Sequence, residues 1–271
     1  MKIGRATAVQ SGICTSEDET IVVRGRDLCH DLIGRVSFTD YFWLLVTGQM
    51  PGPAASRVLD ATLVAIAEHG LVPSVQAARM TLAAAPDALQ GAVAAGILGC
   101  GSVILGASAD AGRLLLRVDA LTRDSGRTLD DAAAEVVGEL RAGKHAIPGY
   151  GHPQHKARDP RVGRLFQVAA DAGCDGRFVA VAEAVERVIP ALTGRELRLN
   201  VSAAIPAVLL DAGFPAEALR GVPILARCAG LIGHLTEELT QPIGFALSYQ
   251  ATREQVYTGT RPASTNETTG P

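Results

Sequence analysis

No cysteine framework is present in this sequence. Its five cysteines (Cys14, Cys29, Cys100, Cys174 and Cys228) are odd in number and scattered. They form no C-x-x-C pair and no Cys–His cluster at zinc-ligand spacing, so no metal is expected. Each reads as a small buried hydrophobe in a reducing compartment. A basic excess is missing too: 25 Lys and Arg against 28 Asp and Glu give a formal charge of −3. That balance argues against a nucleic-acid partner. With 48% hydrophobic residues the chain is not disordered as a whole. No apolar run follows Lys2 and Arg5, so no signal peptide is expected, and the cytoplasm is the expected location. The phosphate loop G-x-x-x-x-G-K-[ST], a strand-borne G-x-G-x-x-G, G-x-S-x-G and H-E-x-x-H are all absent. Nucleotide hydrolysis, hydride transfer, serine hydrolysis and zinc proteolysis thereby lose their usual support.

Strand patterning is scarce. Only Glu19 to Gly25 alternates, weakly, and suggests a small N-terminal ribbon. Helical spacing dominates the rest. Ala55 to Gly70 carries Val58, Leu59, Thr62, Leu63 and Ile66 on one face and ends in glycine. Ser74 is placed to cap a helix that Pro86 breaks. Thr128 with Asp131 resembles a capping box for a helix running to Gly143. Asp159-Pro160 reads as an N-cap followed by proline at the first helical position. Further helical runs cover 178–192, 201–210 and 216–239. Ala88 to Ala109 is uncharged over 22 positions, the length of a membrane span. Its interruption by Gly91, Gly96, Gly99, Gly101, Ser102 and Ser108 predicts instead a buried helix that neighbours approach closely, and no membrane partner. The fold class expected is all-α, with a flexible tail over 260–271.

The stretch from Lys144 to Arg164 is the richest in chemistry. It holds Lys144, Lys156, Arg158, Arg161 and Arg164 against one acid, Asp159, together with His145, His152 and His155. Gly149 and Gly151 bracket Tyr150, so the backbone there can approach a ligand. The segment feeds a helix whose first turn holds Arg161. Free N–H groups, the helix dipole and a guanidinium together favour a carboxylate or phosphate. Elsewhere, His69 sits between Glu68 and Gly70 at a helix end. Gly106 to Asp110 reads as a helix break with a capping acid, and Glu237 and Glu238 as an exposed face.

Four blocks of the chain together resemble the citrate synthase superfamily, and most nearly its short citryl-CoA lyase branch, which includes the lyase module of ATP-citrate lyase. The first is Ile21 to Leu28 followed by Phe38 to Pro51. The second is Glu68-His69-Gly70. The third is Gly149-Tyr150-Gly151-His152 with Asp159-Pro160-Arg161, and the fourth is Asn200-Val201 with Ala229 to His234. The resemblance implies a citrate synthase-like multi-helix large domain with a small helical domain, the two forming a single unit over 1–271. The large domain would cover about 1–143 and 195–259, and the small one about 144–194. It implies at least a homodimer, with a coenzyme A thioester and a keto acid as ligands. His69 would bind a substrate carboxylate or hydroxyl, His152 would hydrogen-bond the oxygen at the carbon where the bond breaks, and Arg161 would hold a carboxylate. Ile147, Gly149, Tyr150 and Gly151 would lie along coenzyme A.

Two departures from the synthase pattern carry information. Synthases have a histidine where this chain has Leu105, and the lyases lack it as well. The family's Asn-Val-Asp reads Asn200-Val201-Ser202 here, and a serine hydroxyl is not a competent base for a carbon acid unless activated. Ser202 thus takes the catalytic position of an aspartate. A C-terminal substrate arginine has only Arg253 as a candidate, one residue out of register. The expected activity is carbon–carbon cleavage of a 3-hydroxy-3-carboxyacyl-CoA to an acyl-CoA and a keto acid. The alternatives are a condensing enzyme using Asp110 or Glu68 as base, and a non-catalytic protein that binds coenzyme A or a polycarboxylate.

Overall fold

A computed structural model describes residues 10–101, 105–151 and 159–260. The described residues form a short antiparallel ribbon followed by eleven α-helices. The strands are β1 (Cys14–Ser16), β2 (Ile21–Val23) and β3 (Arg26–Asp27), with Cys14 opposite Val23 and Val22 opposite Asp27. Arg24 and Gly25 both take positive φ, the turn geometry that suits a tight hairpin. The Arg24 guanidinium donates to the Leu45 carbonyl at 2.6 Å and so ties the ribbon to the first helix.

The helices are α1 (Phe38–Thr47), α2 (Pro53–Ala67), α3 (Pro73–Ala84), α4 (Leu89–Leu98), α5 (Gly106–Ser125), α6 (Leu129–Ala142), α7 (Pro160–Asp171), α8 (Arg177–Thr193), α9 (Val201–Asp211), α10 (Gly221–Thr240) and α11 (Gly244–Glu254). Thr128 caps α6 by accepting from the Asp131 N–H, and its own hydroxyl donates to the Asp131 carboxylate. Asp159 caps α7 ahead of Pro160. Helix α9 is apolar on every side, and its residues Ala203 to Leu209 are buried, as expected of a helix in the middle of a domain. Around it pack α5, α7 and α8, in an apolar cluster that includes Leu115, Val137, Val185 and Ile205. A second, smaller cluster joins α3, α4 and α10 through Val75, Leu82, Ala92, Leu231 and Leu235.

The structure departs from the sequence expectations at several points. Residues 88–109 are not one helix. Helix α4 stops at Gly99, and α5 begins only at Gly106, because three glycines in six residues weaken helix propagation. Close approach does occur there, since a Cβ on Gly96 would lie 2.7 Å from Leu231 Cδ1. Burial does not extend to Leu98, which is 85% exposed. No helix among the described residues is long and apolar enough to cross a membrane. Ser74 is not a cap: Pro73 occupies the first helical position after Val72, and Ser74 lies buried. The run 216–239 is divided, with a single 3₁₀ turn at Ala216–Ala218 before α10. Cys14 and Cys29 are exposed on the small ribbon and the turn after it, outside the small apolar cluster of Val23, Leu32 and Leu44 there. Glu238 is buried, not on an open face, because Arg79 reaches it from α3. All of the predicted tail except Thr260 lies outside the described residues.

Candidate active site

Asp159 is the organising residue of the basic segment. Its carboxylate is buried, and it accepts from Arg161 Nε at 3.0 Å, from Arg161 Nη2 at 2.8 Å and from the Arg161 N–H at 3.0 Å. The Val201 N–H of α9 reaches the same group at 3.4 Å. Burial pushes this carboxyl upward, but the Arg161 hydrogen bonds and charge outweigh it and hold the group below the usual carboxylate range. The anion expected at the head of α7 is thus supplied in part by the chain itself. Arg161 keeps Nη1 for another acceptor, 3.5 Å from the Ala65 carbonyl on α2, and stays 24% exposed.

The segment before it is laid against the start of α9. Asn200 donates through Nδ2 to the Gly151 carbonyl at 2.7 Å, and its Oδ1 caps α9 by accepting the Ser202 N–H at 2.9 Å. The Asn200 N–H donates to the Gly149 carbonyl at 3.0 Å, and Tyr150 pairs with Leu199 as an isolated bridge. Gly149 has φ +86, and a Cβ there would stand 2.5 Å from Ala203 Cβ. The close approach that this glycine makes in the structure is to helix α9. Ile147 and Tyr150 are buried, with the Tyr150 hydroxyl donating to the Ala182 carbonyl at 2.8 Å.

His69 leaves the end of α2 one turn beyond Ala65, so α2 carries it toward the region of Arg161 and α9. Its N–H donates to Glu68 Oε1 at 2.8 Å. The described residues therefore bring Arg161 and the start of α9, with Ser202, to Asp159, and lay the 149–151 segment against that start. His152 and His155 lie outside the described residues, as do Lys156 and Arg158. Arg253 is not part of this gathering. It is exposed on α11, which packs on α3, with its guanidinium 6.0 Å from the Tyr249 ring centre. Leu105 is buried at the head of α5. The two substitute bases are both engaged: Asp110 with Arg113, Glu68 with His234.

A cavity of about 530 Å³ opens beside this region, between α5, α6 and the turn 145–148. Asp110, Arg113 and Arg117 line one wall, Leu140 another, and His145 and Pro148 the rim. Arg117 pairs with Glu139 across it. Sequence reading did not single out Arg113 or Arg117, although their spacing of four puts both guanidinium groups on one helix face. It also passed over Arg79, whose place within the apolar stripe Val75, Ala78 and Leu82 marks a cation that must find a buried partner. Among the described residues no group of three His, Cys, Asp or Glu side chains is placed to hold a metal.

Comparison with known proteins gives a consistent set of likenesses. The family model for the C-terminal domain of citrate synthase matches residues 48–244. The structure of citryl-CoA lyase from Hydrogenobacter thermophilus superposes with a TM-score of 0.82 at 34% identity, covering 94% of this chain and 96% of that one. ATP citrate lyase of Methanosaeta concilii, solved as a D541A mutant with (3S)-citryl-CoA, shares the fold at 23% identity and a TM-score of 0.74, with 97% of this chain and 43% of that one covered. A citrate synthase-like protein of Aspergillus oryzae, oryE, is 27% identical over 230 residues, which are 80% of this chain and 49% of that protein. The chain spans about half the length of the curated relatives it matches.

Proposed function

The chain belongs to the citrate synthase family, and from that premise we propose that it is a coenzyme A-dependent carbon–carbon lyase of the citryl-CoA lyase kind. It cleaves a 3-hydroxy-3-carboxyacyl-CoA into an acyl-CoA and a keto acid. The observation that carries this reading is the near end-to-end correspondence with the Hydrogenobacter lyase at 34% identity. Leu105 supports the same side: an apolar buried side chain offers nothing to polarise a thioester carbonyl, the role its counterpart has in synthases.

In this reaction the tertiary alcohol gives its proton to His152, and the bond between the alcohol carbon and the thioester α-carbon breaks. The alcohol carbon becomes the carbonyl of the keto acid, and the electron pair passes to the α-carbon as a thioester enolate. A proton taken up at that carbon completes the acyl-CoA, and no water is consumed. Arg161, through the Nη1 that donates to the Ala65 carbonyl at 3.5 Å, and His69 hold the carboxylates of the keto-acid half. The cavity at α5 and α6 has the size of a small-ligand site. Arg113 and Arg117 there suit the phosphates of coenzyme A, which would compete with Asp110 and Glu139 for them. A homodimer or larger homo-oligomer in the cytoplasm is the setting we propose. Exposed Leu98, Ile232 and Leu239 on the mutually packed α4 and α10 support the assembly.

Ser202 favours one other reading, a protein that binds coenzyme A without turnover. Incubation with citryl-CoA and related thioesters, followed by mass spectrometry, decides between them. The lyase releases acyl-CoA and keto acid, and His152→Ala lowers turnover about 10²–10⁴-fold. Unchanged cleavage in that variant removes His152 from the mechanism. Calorimetric binding of coenzyme A with no product from any thioester supports the binding protein instead.

A further inference from the structure

Around the turn that follows α2 lies a chain of charged groups that the lyase mechanism does not use. Glu68 ends α2, and its Oε1 takes three donors: the His69 N–H at 2.8 Å, the Gly70 N–H at 2.5 Å and His234 Nε2 at 2.9 Å. One oxygen thus closes the turn that presents His69 and anchors that turn to α10. Burial pushes the Glu68 carboxyl upward, and the bonds from His234, Gly70 and His69 together hold it below the usual range. On its other side His234 Nδ1 faces Arg79 Nη1 at 3.5 Å. A guanidinium only donates, so this nitrogen carries the lone pair and the ring proton sits on Nε2, aimed at Glu68. Arg79 is itself fixed by Glu238 and Glu237, each at 2.6 Å, and by the Gln241 carbonyl at 2.9 Å.

The sequence of α10 makes this contact possible. A Cβ at Gly230 would overlap the Ala67 carbonyl oxygen, so only glycine lets the end of α2 lie directly on α10. His234 follows Gly230 by four residues, one helical turn further along the same face. The close approach and the imidazole therefore meet the same turn, Ala67 to Gly70.

We propose that His234, oriented by Arg79 and acting through Glu68, is a positioning residue for His69. The catalytic half of this inference rests on the lyase reading. The structural half does not: it says that His234 stabilises one conformation of the 68–70 turn. A side chain displaced by about 1 Å in an active site can cost up to 10²-fold in rate, so the effect should be seen in kcat.

The test uses the full chain with His234→Ala and His234→Gln, the glutamine being able to donate from the position of Nε2. Hydrogen exchange in the peptide covering 66–71 is expected to speed up about fivefold or more in His234→Ala and to return toward the parent in His234→Gln. Exchange in α6 should stay unchanged in both. In parallel, kcat for thioester cleavage should fall about tenfold or more in His234→Ala, with KM for the thioester within about twofold, and recover in His234→Gln. Unchanged exchange at 66–71, no rescue by glutamine, or loss of protection throughout α6 as well overturns the proposal. If the parent cleaves no thioester, the lyase reading fails by itself, and the exchange measurements still decide whether His234 holds the turn.

Discussion

Arg161 and Arg79 are each bound to a buried carboxylate, and they are bound in different ways. Arg161 is bound by Asp159, two residues away, within the cap of one helix. Arg79 is bound by Glu238, 159 residues away, across the contact of α3 with α10. Both carboxylates are buried and both are held below the usual range by their arginine. The arginines differ in their access to water: Arg79 is 2% exposed and Arg161 24%. A local pair can form as soon as its helix does, and its arginine can still turn to solvent or to a ligand. A distant pair exists only in the finished fold, and its arginine, closed off from water, has only the acceptors packed around it. The first kind suits a binding group, the second a structural tie.

The largest effect expected from this contrast is that of Glu238→Ala. It takes from the buried Arg79 its buried partner, leaving Glu237 and the Gln241 carbonyl, and removes the acceptor of the Ile243 and Gly244 N–H groups, so a loss of about 3–5 kcal/mol is expected in urea unfolding. Asp159→Ala should cost less, about 1–3 kcal/mol, since Arg161 can reach water and the loss is mainly that of a cap and the bond to Val201. Equal losses in the two variants would break the distinction drawn between them.

A third carboxylate, Asp211, sharpens the contrast because among the described residues no arginine forms an ion pair with it. It caps α8 by accepting from the Phe178 and Val179 N–H groups, at 2.7 and 3.1 Å. Burial, helped by the charge of Asp175, nevertheless raises it to about 6. In the unfolded chain an aspartate titrates near ~3.9. The folded protein therefore keeps a proton that the unfolded one releases, and the resulting stabilisation, complete below about pH 4, is lost as pH rises through about 6. Asp211→Asn cannot ionise, so between pH 4 and pH 7 it should gain about 1–2 kcal/mol on the parent in thermal or urea unfolding. A difference between the two proteins that does not change with pH would show that Asp211 is ionised throughout. Asp159 and Glu238, both lowered, behave oppositely: their stabilisation is present at neutral pH and lost as pH falls through their depressed values.

Legibility in the sequence followed the same division. The caps at Thr128 and Asp159 could be read in advance, because a cap is an agreement among residues two or three apart. The contact of Asn200 with the Gly149–Gly151 segment was not foreseen, since no local pattern joins residues separated by 49 positions. Glu238 was misread as solvent-facing because its neighbour Glu237 is half exposed and its partner lies on another helix. The packing of Gly149 against Ala203 was not legible, since it joins residues 54 positions apart on different elements.

The amino-acid sequence by itself determined an all-helical chain, the ends of several helices, and the set of histidines and arginines available for chemistry. These follow from side-chain periodicity and from hydrogen bonds closed within a turn. Only the tertiary structure decided which carboxylate neutralises which arginine, which glycine marks helix contact, and that the His69 turn is braced by an imidazole 166 positions away from Glu68. Burial sets those choices. A charge withdrawn from water must be matched by whatever the packed helices bring within reach, and that depends on the whole fold.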